Sequence, residues 1–266
     1  MQTDSIDLSY QLHFLSPFHL GTGLRAGLVH RAITRDHEGF LYVPGSTIKG
    51  ALRNHATWLA TALGRTALEP QSDGYPLHEF TSEADITTLI FGSRFRPGTL
   101  YFDDATMIDE DQRLFENIVS GHKLDYLASQ VSVRGQVSLS RLSGTARRGF
   151  LYSSEYGIAD LRFAGRVYGL LPGVPMALHD PTITYSLLLL IAAFASIHHL
   201  GGQKSSGAGR IACRITGLAI NGQPRIPPPP AGPSPRDDQQ PEEIQNLLEL
   251  IPDFEYYDLC AEEGGS

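Results

Sequence analysis

The alternation of apolar and polar positions at the start of the chain predicts a β-strand over residues 6–15. A loop that contains Gly21 and Gly23 follows this strand. Residues 29–34 and 39–43 then show the pattern of a β-hairpin, with turn-forming residues between the two segments. The beginning of the chain is therefore predicted to be β-structure joined by short loops.

Two longer segments have the apolar spacing of helices. Over 47–63, apolar residues recur every three or four positions, which predicts an amphipathic helix with Ser46 as its N-cap. Residues 182–200 are largely apolar, which predicts a helix buried on most of its surface. A shorter helix is predicted over 84–91, and Gly92 is placed to end it.

The remaining apolar patterns predict further strands. They cover residues 98–105, 129–139, 149–156, 158–171 and 209–220. The segments 129–139 and 149–156 are either two separate strands or one long hairpin, linked by an arginine-rich segment. Strands on both sides of two main helices predict an α+β fold with a ferredoxin-like (RRM-like) βαββαβ core. Insertions into this core are expected near 64–82 and 106–157.

A change of composition marks a boundary near residue 222. Residues 224–235 are rich in proline, which predicts an extended linker. An acidic tail follows to residue 266, in which residues 241–248 have the pattern of a short amphipathic helix. We therefore expect one domain over 1–222 and a separate segment over 223–266. Because the tail shares little apolar periodicity with the domain, we expect it to be dispensable for folding and to dock on a neighbouring subunit or screen a basic groove.

The composition is that of a globular protein, with 41% hydrophobic and 19% charged residues. Cys213 and Cys260 make no disulfide framework, which favours a reducing compartment. We expect a cytoplasmic protein without a membrane partner, because the sequence shows no secretion signal and no apolar run long enough to cross a bilayer. The net charge of −8 argues against a nucleic-acid partner, but residues 236–266 carry this acidic excess. Basic patches elsewhere therefore remain compatible with a phosphate backbone.

The segment 201–210 is glycine-rich and basic, and it lies between the predicted apolar helix and the last predicted strand. Its glycines allow the backbone to approach a ligand closely and to point several N–H groups in one direction. Lys204 and Arg210 add positive charge, which makes the segment a candidate phosphate-binding loop. The alternative interpretation is an ordinary flexible connection.

Two other groups of basic residues lie near predicted element ends. Lys49 and Arg53 are four residues apart, so they project from one face of the first helix beside Ser46. A polar segment between predicted strands contains four arginines and no acidic residue: Arg134, Arg141, Arg147 and Arg148. A solvated helix face and a surface loop are the alternative interpretations of these two groups.

Four stretches occur in an order that resembles the RAMP superfamily of CRISPR effector proteins, over about residues 6–220. These stretches are 30–36 with 42–53, 90–92 with 100–105, 141–155, and 202–209. The resemblance is nearest to the repeated backbone subunits of type III complexes. It implies a protein that binds guide RNA on an RRM-like fold for recognition of target RNA. It also implies other effector subunits as partners, within a hetero-oligomeric ribonucleoprotein of antiviral defence.

Together with the basic and glycine-rich positions, the resemblance implies a set of RNA-contacting residues. They are Gly21, Gly23, Arg31, Ser46, Lys49, Arg53, Arg134, Arg141, Arg147, Arg148, Gly202, Lys204, Ser205, Gly207 and Arg210. The glycines and Ser46 would offer backbone N–H groups to phosphate oxygens, and the basic side chains would add positive charge.

Cleaving backbone subunits of this family carry an aspartate in the loop after the first strand, where it supports metal-dependent cleavage of the target. Counting back from Arg35 and Asp36, this chain has His30 at that position. A histidine is able to act as a general base, so His30 is the candidate catalytic residue. Because the carboxylate is missing, we expect cleavage to be weak or absent. A divalent metal, Mg²⁺, is implied only if the protein cleaves RNA.

Two other functions fit parts of the sequence. A protein–protein scaffold subunit of the same kind of complex, without direct RNA catalysis, fits the glycine-rich loops and the acidic tail. A serine acylase fits the S-x-x-K spacing of Ser46 and Lys49 at a helix start, although the sequence has no S-D-N or K-T-G partner motif. Labelling with a β-lactam probe separates the acylase from an RNA-binding subunit.

Overall fold

The computed structural model describes residues 1–23, 29–65, 85–93, 96–118, 129–176, 182–227 and 238–257. Its strands are β1 (Gln2–Phe14), β2 (Tyr42–Val43), β3 (Leu100–Phe102), β4 (Ala105–Met107), β5 (Val131–Leu139), β6 (Ala146–Gly157), β7 (Arg162–Gly173), β8 (Ile211–Ile220) and β9 (Gln223–Ile226). Its α-helices are α1 (Gly45–Ala62), α2 (Ile86–Phe91), α3 (Asp109–Ile118), α4 (Tyr185–Ser196) and α5 (Glu242–Leu248). Short 3-10 helices lie at Lys204–Ser206 and Ile251–Tyr256.

The main sheet has the strand order of a ferredoxin-like fold. Its order is β2-β4-β7-β1-β8-β9, with β3 also paired to β7, and every one of these strand pairs is antiparallel. In chain order, β1, α1, β3 with β4, β7, α4 and β8 supply the six elements of a βαββαβ core. The predicted α+β fold is therefore confirmed.

The core lies between this sheet and the two main helices. Alternate residues of β1, such as Leu8 and Tyr10, are buried, because successive side chains of a strand point to opposite faces. Tyr10 packs against Phe194 of α4, with 5.0 Å between ring centroids. On α1, Ile48 and Leu52 belong to a buried stripe repeating every four residues, while almost all of α4 is buried.

The start of α1 differs from the prediction. The helix begins at Gly45, its N-cap is Pro44, and no side chain caps it, so the prediction of Ser46 as N-cap was wrong. The Gly45 N–H instead donates to Oδ1 of Asp104 at 2.7 Å. Position 45 needs a glycine, because an added Cβ would lie 2.1 Å from the carbonyl oxygen of Phe102. Close packing of the helix start on the β3–β4 connection therefore sets this boundary.

The predicted hairpin over 29–34 and 39–43 is only partly present. A single bridge between Arg35 and Leu41 joins the two segments, and β2 pairs with β4 instead. Residues 29–33 run beside other partners, with bridges from Ile33 to Gly21 and from Arg31 to Ser154 of β6. Gly21 belongs to a loop, and Ser154 belongs to a strand distant in sequence. The local alternation of apolar and polar residues gives no indication of either pairing.

The strands predicted over 129–139 and 149–156 pair as one long hairpin, but three of the four arginines lie in its strands and not in the link between them. β5 and β6 form a separate two-stranded antiparallel sheet, inserted between β4 and β7. Arg134 lies within β5 and both Arg147 and Arg148 within β6, so only Arg141 lies in the connection between strands. The side chain of Arg148 lies outside the described part of the structure, as does most of the predicted insertion over 64–82.

The C-terminal segment packs on the domain, contrary to prediction. Residues 223–226 form β9 at the edge of the main sheet, and Ile244 and Phe254 belong to the hydrophobic core. The side chain of Gln240 accepts from the N–H of Ile215 at 3.0 Å and donates to the carbonyl of Cys213 at 2.6 Å. The expected boundary at 222 was therefore wrong. Most of the proline-rich stretch lies outside the described residues.

In the part of the chain that the structure describes, none of the helices combines the length and the apolar character needed to span a membrane.

Candidate nucleic-acid interface

His19 joins the glycine-rich loop to two other segments. Its carbonyl accepts from the N–H of Gly202 at 2.9 Å, and its Nδ1 lies 2.7 Å from the carbonyl oxygen of Glu155 in β6. An added Cβ at Gly21 would lie 2.8 Å from His19 Nε2. The loop 201–210, the loop after β1 and the base of the β5–β6 hairpin therefore meet at one place. We call this region the junction surface.

Residues 29–35 complete the junction surface. Gly21 pairs with Ile33, and Arg31 is placed beside β6 by its bridge to Ser154. The exposed guanidinium of Arg31 lies over the ring of Tyr152, 5.0 Å from its centroid. The structure thus brings the predicted residues Gly21 and Arg31 close to the glycine-rich loop.

An ion pair and a hydrogen bond engage the carboxylate of Glu155 in this surface. Glu155 accepts from the N–H of Ile33 at 3.1 Å, and its other oxygen lies 3.8 Å from the guanidinium of Arg35. Because Arg35 offsets the negative charge, Glu155 opposes an approaching anion less than an isolated carboxylate would. The exposed side chains of Arg31, Lys204 and Arg210 then give the region a positive character.

The glycine-rich loop presents its tip to solvent. Lys204–Ser206 form one 3-10 turn between two left-handed residues, Gln203 with φ of 63° and Gly207 with φ of 83°. Lys204, Ser205 and Gly207 are exposed, and an added Cβ at Gly207 would meet no atom within 4 Å. At Gly209, by contrast, a Cβ would lie 2.1 Å from the carbonyl of Leu200. The loop is therefore anchored at its end and open at its tip.

The basic pair on α1 is half-buried rather than fully exposed. The ammonium of Lys49 lies 5.5 Å from the ring centroid of Phe102. Burial, and then the charge of Arg53, lowers the pKa of Lys49 from its usual range. Ser46 is exposed in the first turn, but Asp104 already accepts the N–H of Gly45. The start of α1 therefore has an acidic partner in Asp104. The positive charge of this helix lies one and two turns further along, on Lys49 and Arg53.

The middle of α1 approaches the glycine-rich loop. His55 Nδ1 lies 3.3 Å from Ser196 Oγ at the end of α4. Burial lowers the pKa of His55, and the nearby charges of Lys204 and His198 lower it further. His55 and His198 line the same surface, and the glycine-rich loop begins at residue 201, so this loop starts beside the middle of α1.

The remaining predicted residues are spread out. Arg134 lies near the base of the hairpin, with its guanidinium 4.8 Å from the ring centroid of Tyr156. Arg141 is exposed in the turn at the hairpin tip, and β5 has 9 residues, so it lies roughly 30 Å from the base. Arg147 is exposed on β6, and Gly23 is exposed next to undescribed residues. The arginines therefore line the hairpin instead of clustering.

His30 is exposed and is held against β6. Its backbone N–H donates to the carbonyl of Ser153 at 3.0 Å, and its ring Nδ1 accepts from the backbone N–H of Ser153 at 3.2 Å. In the neutral ring the proton therefore resides on Nε2. Among the described residues, no three side chains of His, Cys, Asp or Glu gather closely enough to hold a metal ion. The residues described around His30 thus do not fit a metal site.

Sequence reasoning missed three aromatic residues and the joining histidine of this region. Tyr152 and Tyr156 support arginines, His19 joins the segments, and Trp58 is exposed on α1. The position of His19 in a glycine-containing loop was a signal for it. Helical spacing places Trp58 outside the buried stripe of α1, so the sequence did carry a signal that this side chain is exposed.

The chain is similar to known proteins in both sequence and fold. A family model described as the RAMP superfamily matches residues 11–212. Comparison with curated proteins gave no match. Among solved structures, a chain of a type III-B Cmr-beta complex, determined by cryo-EM with cognate target RNA bound, is similar at 13% identity with a TM-score of 0.49. That match covers 79% of this chain and 96% of the other.

Proposed function

This chain belongs to the RAMP superfamily, and on that premise we propose that it is a guide-RNA-binding backbone subunit of a type III CRISPR ribonucleoprotein. In this role it presents the guide for recognition of target RNA and assembles with other effector subunits. The proposal concerns binding. It does not require the protein to cleave the target.

The observation that supports RNA binding best is the convergence of positive charge on the junction surface. Arg31 and Lys204 come from segments far apart in sequence, and both are exposed there. Lys204 lies in a loop whose tip leaves room for a ligand at Gly207. The N–H groups of Gly202 and Gly207 already donate to the carbonyls of His19 and Lys204, so the exposed cationic side chains are the groups proposed to bind phosphate.

The aromatic residues under the arginines fit a single-stranded partner. Arg31 covers Tyr152 and Arg134 covers Tyr156, so each guanidinium lies near the face of a ring. Unpaired bases of RNA stack on such arginine and aromatic surfaces, whereas the bases of a duplex are not accessible to them. A single strand held mainly through its phosphates is therefore the partner that this surface fits.

The direct test is to replace Arg31 and Lys204 together with alanine. Both side chains are exposed, so we expect the fold to be unchanged. Affinity for single-stranded RNA should fall for all sequences alike. The slope of log affinity against log salt concentration should decrease by about 0.7 for each phosphate that the variant no longer neutralises. Fluorescence anisotropy with labelled oligonucleotides at several salt concentrations measures both quantities.

A charge-matched control is available in Arg96→Ala combined with Arg225→Ala. Arg96 precedes β3 and Arg225 lies on β9, and both strands pair at the end of the sheet opposite to the loops of the junction surface. Both side chains are exposed, and this pair removes the same formal charge. A second test pair, Lys49→Ala with Arg53→Ala, examines α1 and should behave as the first. If both test pairs keep the affinity and salt slope of the control, the proposed binding surface is wrong.

A further inference from the structure

A surface cleft lies between α1 and the end of α4, next to the glycine-rich loop. It has a volume of about 640 Å³, and Asn54, His55, Trp58, Ser196 and His198 contribute to its wall. Clefts of about 300–1,000 Å³ are the usual size for binding a small molecule or a cofactor. Neither the prediction of the RNA-binding residues nor the family match assigns a role to this cleft.

Trp58 dominates the apolar part of the cleft. It is the single tryptophan of the chain, and 66% of its surface is exposed. Asn54 lies one helical turn before it and is exposed on the same side of α1. A tryptophan is rarely left this exposed without a partner, because its large ring is apolar and its N–H is a hydrogen-bond donor. The side chain is therefore available to stack on a planar ligand.

The polar wall of the cleft is made of neutral groups and cations. His55 and Ser196 are 3.3 Å apart, and burial together with nearby positive charge lowers the pKa of His55, so its imidazole is neutral near pH 7. A neutral imidazole, an amide and a hydroxyl can each donate and accept hydrogen bonds. None of the residues that line the described cleft is acidic, and Lys204 lies close enough to act on His55. These groups fit the edge of a nucleobase attached to an anionic backbone.

The exposed apolar surface is too isolated for a protein interface. Trp58 is the one large hydrophobic residue of α1 that is exposed, and its neighbours in the cleft are Asn54 and Thr57. Protein docking sites usually present a contiguous apolar patch with several anchors. A single aromatic ring among polar groups is the arrangement found at base-stacking sites.

We propose that this cleft binds one nucleobase of single-stranded RNA, stacked on Trp58, with the edge of the base facing Asn54 and His55. Lys204 then lies beside the phosphate of the same or the next nucleotide. The inference rests on the proposed function, and it adds a base-contacting subsite to a surface otherwise argued from phosphate contacts. Because stacking accepts any base, the subsite contributes affinity rather than sequence choice.

Because Trp58 is the only tryptophan, the tryptophan fluorescence of the full chain, excited at wavelengths that the tyrosines do not absorb, reports on this cleft alone. Titration with a single-stranded oligoribonucleotide should quench the emission. An oligomer of equal length that carries abasic riboses should quench several-fold less at saturation. Equal quenching by the two oligomers, or none by either at saturation, contradicts stacking on Trp58.

Two variants separate this inference from the proposed function. Trp58→Ala should weaken binding of the base-containing oligomer by about 5- to 150-fold, the range for loss of one stacked base, and leave binding of the abasic oligomer unchanged. Trp58→Phe should lose less affinity for the base-containing oligomer, because phenylalanine keeps an aromatic ring for stacking. Tyr101→Ala is the matched control, because Tyr101 is 63% exposed on β3 and should not contact the RNA.

The outcomes of these titrations are distinguishable. If the Arg31 and Lys204 variant loses RNA affinity while Trp58→Ala does not, the base subsite is wrong and the proposed function stands. If Trp58→Ala keeps its RNA affinity but loses copurifying subunits, the cleft is a protein-docking site and the inference is overturned. If the unaltered protein does not bind either oligomer, the proposed function fails and the inference fails with it.

Discussion

Two arginines of the junction surface and the hairpin are supported by aromatic rings. Arg31 and Arg134 each rest on a tyrosine ring, an interaction worth about 0.5–1 kcal/mol at an exposed site. That interaction limits the motion of the guanidinium, so less conformational entropy is lost when the arginine binds a phosphate or a base. Lys49 has a different environment, because burial lowers its pKa and reduces the exposure of its charge.

His30 gives the prediction at the residue scale. Its ring accepts a hydrogen bond from Ser153 through Nδ1, and the described residues around it supply no carboxylate cluster for a metal. We therefore expect the protein with Mg²⁺ to cleave bound target RNA weakly or not at all. His30→Asp should increase cleavage if the missing carboxylate is the cause. Gel analysis of end-labelled target RNA over time measures the rate.

The matched control for this experiment is His30→Ala, which removes the imidazole without adding a carboxylate. Metal-dependent cleavage by the unaltered protein that disappears in His30→Ala would contradict the prediction. It would show that the histidine itself supports the reaction, as a general base is able to do.

Candidate residues could be named from the sequence, but the residues that surround them in the fold could not. The candidate residues Gly21, Arg31 and Lys204 were all identified, and the structure brings their segments together at His19. The acidic partner at the start of α1, Asp104, could not be predicted, because it is 59 residues from Gly45 and reaches it only through the sheet. Contacts over such separations leave no periodic signal in the sequence.

At the scale of elements, the C-terminal segment is an integral part of the folded domain. β9 extends the main sheet beside β8, and the ring of Phe254 packs edge-to-face on Tyr185 of α4 at 5.2 Å. Ile244 of α5 is fully buried. These contacts cover apolar surface of α4 that would otherwise face solvent.

Removal of this segment should destabilise the protein. A chain ending at residue 222 loses β9 and exposes apolar surface beneath Ile244 and Phe254, so its melting temperature should fall well below that of the full chain. Phe254→Ala alone should lower the free energy of unfolding by about 3–5 kcal/mol through loss of burial and formation of a cavity. Thermal and urea denaturation followed by circular dichroism measure both effects.

Glu255→Ala is the control for the point variant, because Glu255 is the exposed neighbour of Phe254. It should change the free energy of unfolding by less than about 0.5 kcal/mol. A shortened chain that melts at the temperature of the full chain would show that the C-terminal segment does not stabilise the domain.

Elements with strong local patterns were predicted, and those that depend on distant contacts were not. β1, α1 and α4 were identified from alternation and helical spacing, with ends displaced by a few residues. The short acidic helix α5 was predicted from its amphipathic pattern, but its packing on the domain was not, because only Ile244 of its residues is buried. The side-chain contacts of Gln240 with β8 could not be inferred from composition.

At the scale of the whole molecule, the end of the acidic segment lies away from the glycine-rich loop. Phe254 of this segment packs on Tyr185 at the start of α4, whereas the glycine-rich loop follows the end of that helix. α4 has 12 residues, so its two ends are about 18 Å apart. This separation is longer than the Debye length of about 8 Å at physiological salt, which limits the effect on the loop of the acidic residues near Phe254. Asp238 lies nearer, with its carboxylate 3.1 Å from Nδ1 of His13 at the end of β1.

The order of strands explains why the binding surface was only partly predictable. β1 and β8 are antiparallel neighbours, so the loop after β1 and the loop before β8 lie at the same end of these strands. This adjacency follows from the ferredoxin-like topology and was implicit in the predicted fold. The approach of β6 to the same end of the strands was not implicit in the predicted fold, because β5 and β6 belong to an insertion with its own sheet.

Ultraviolet crosslinking of the full chain to single-stranded RNA, with the crosslinked peptides identified by mass spectrometry, tests the central claim most directly. The account predicts crosslinks in residues 15–23, 29–35 and 201–210, at Tyr152 and at Trp58. Crosslinks restricted to other surfaces of the chain, such as Tyr101 on β3, would contradict binding at the junction surface. In the complex assembled with partner subunits, crosslinks confined to those subunits would contradict it as well.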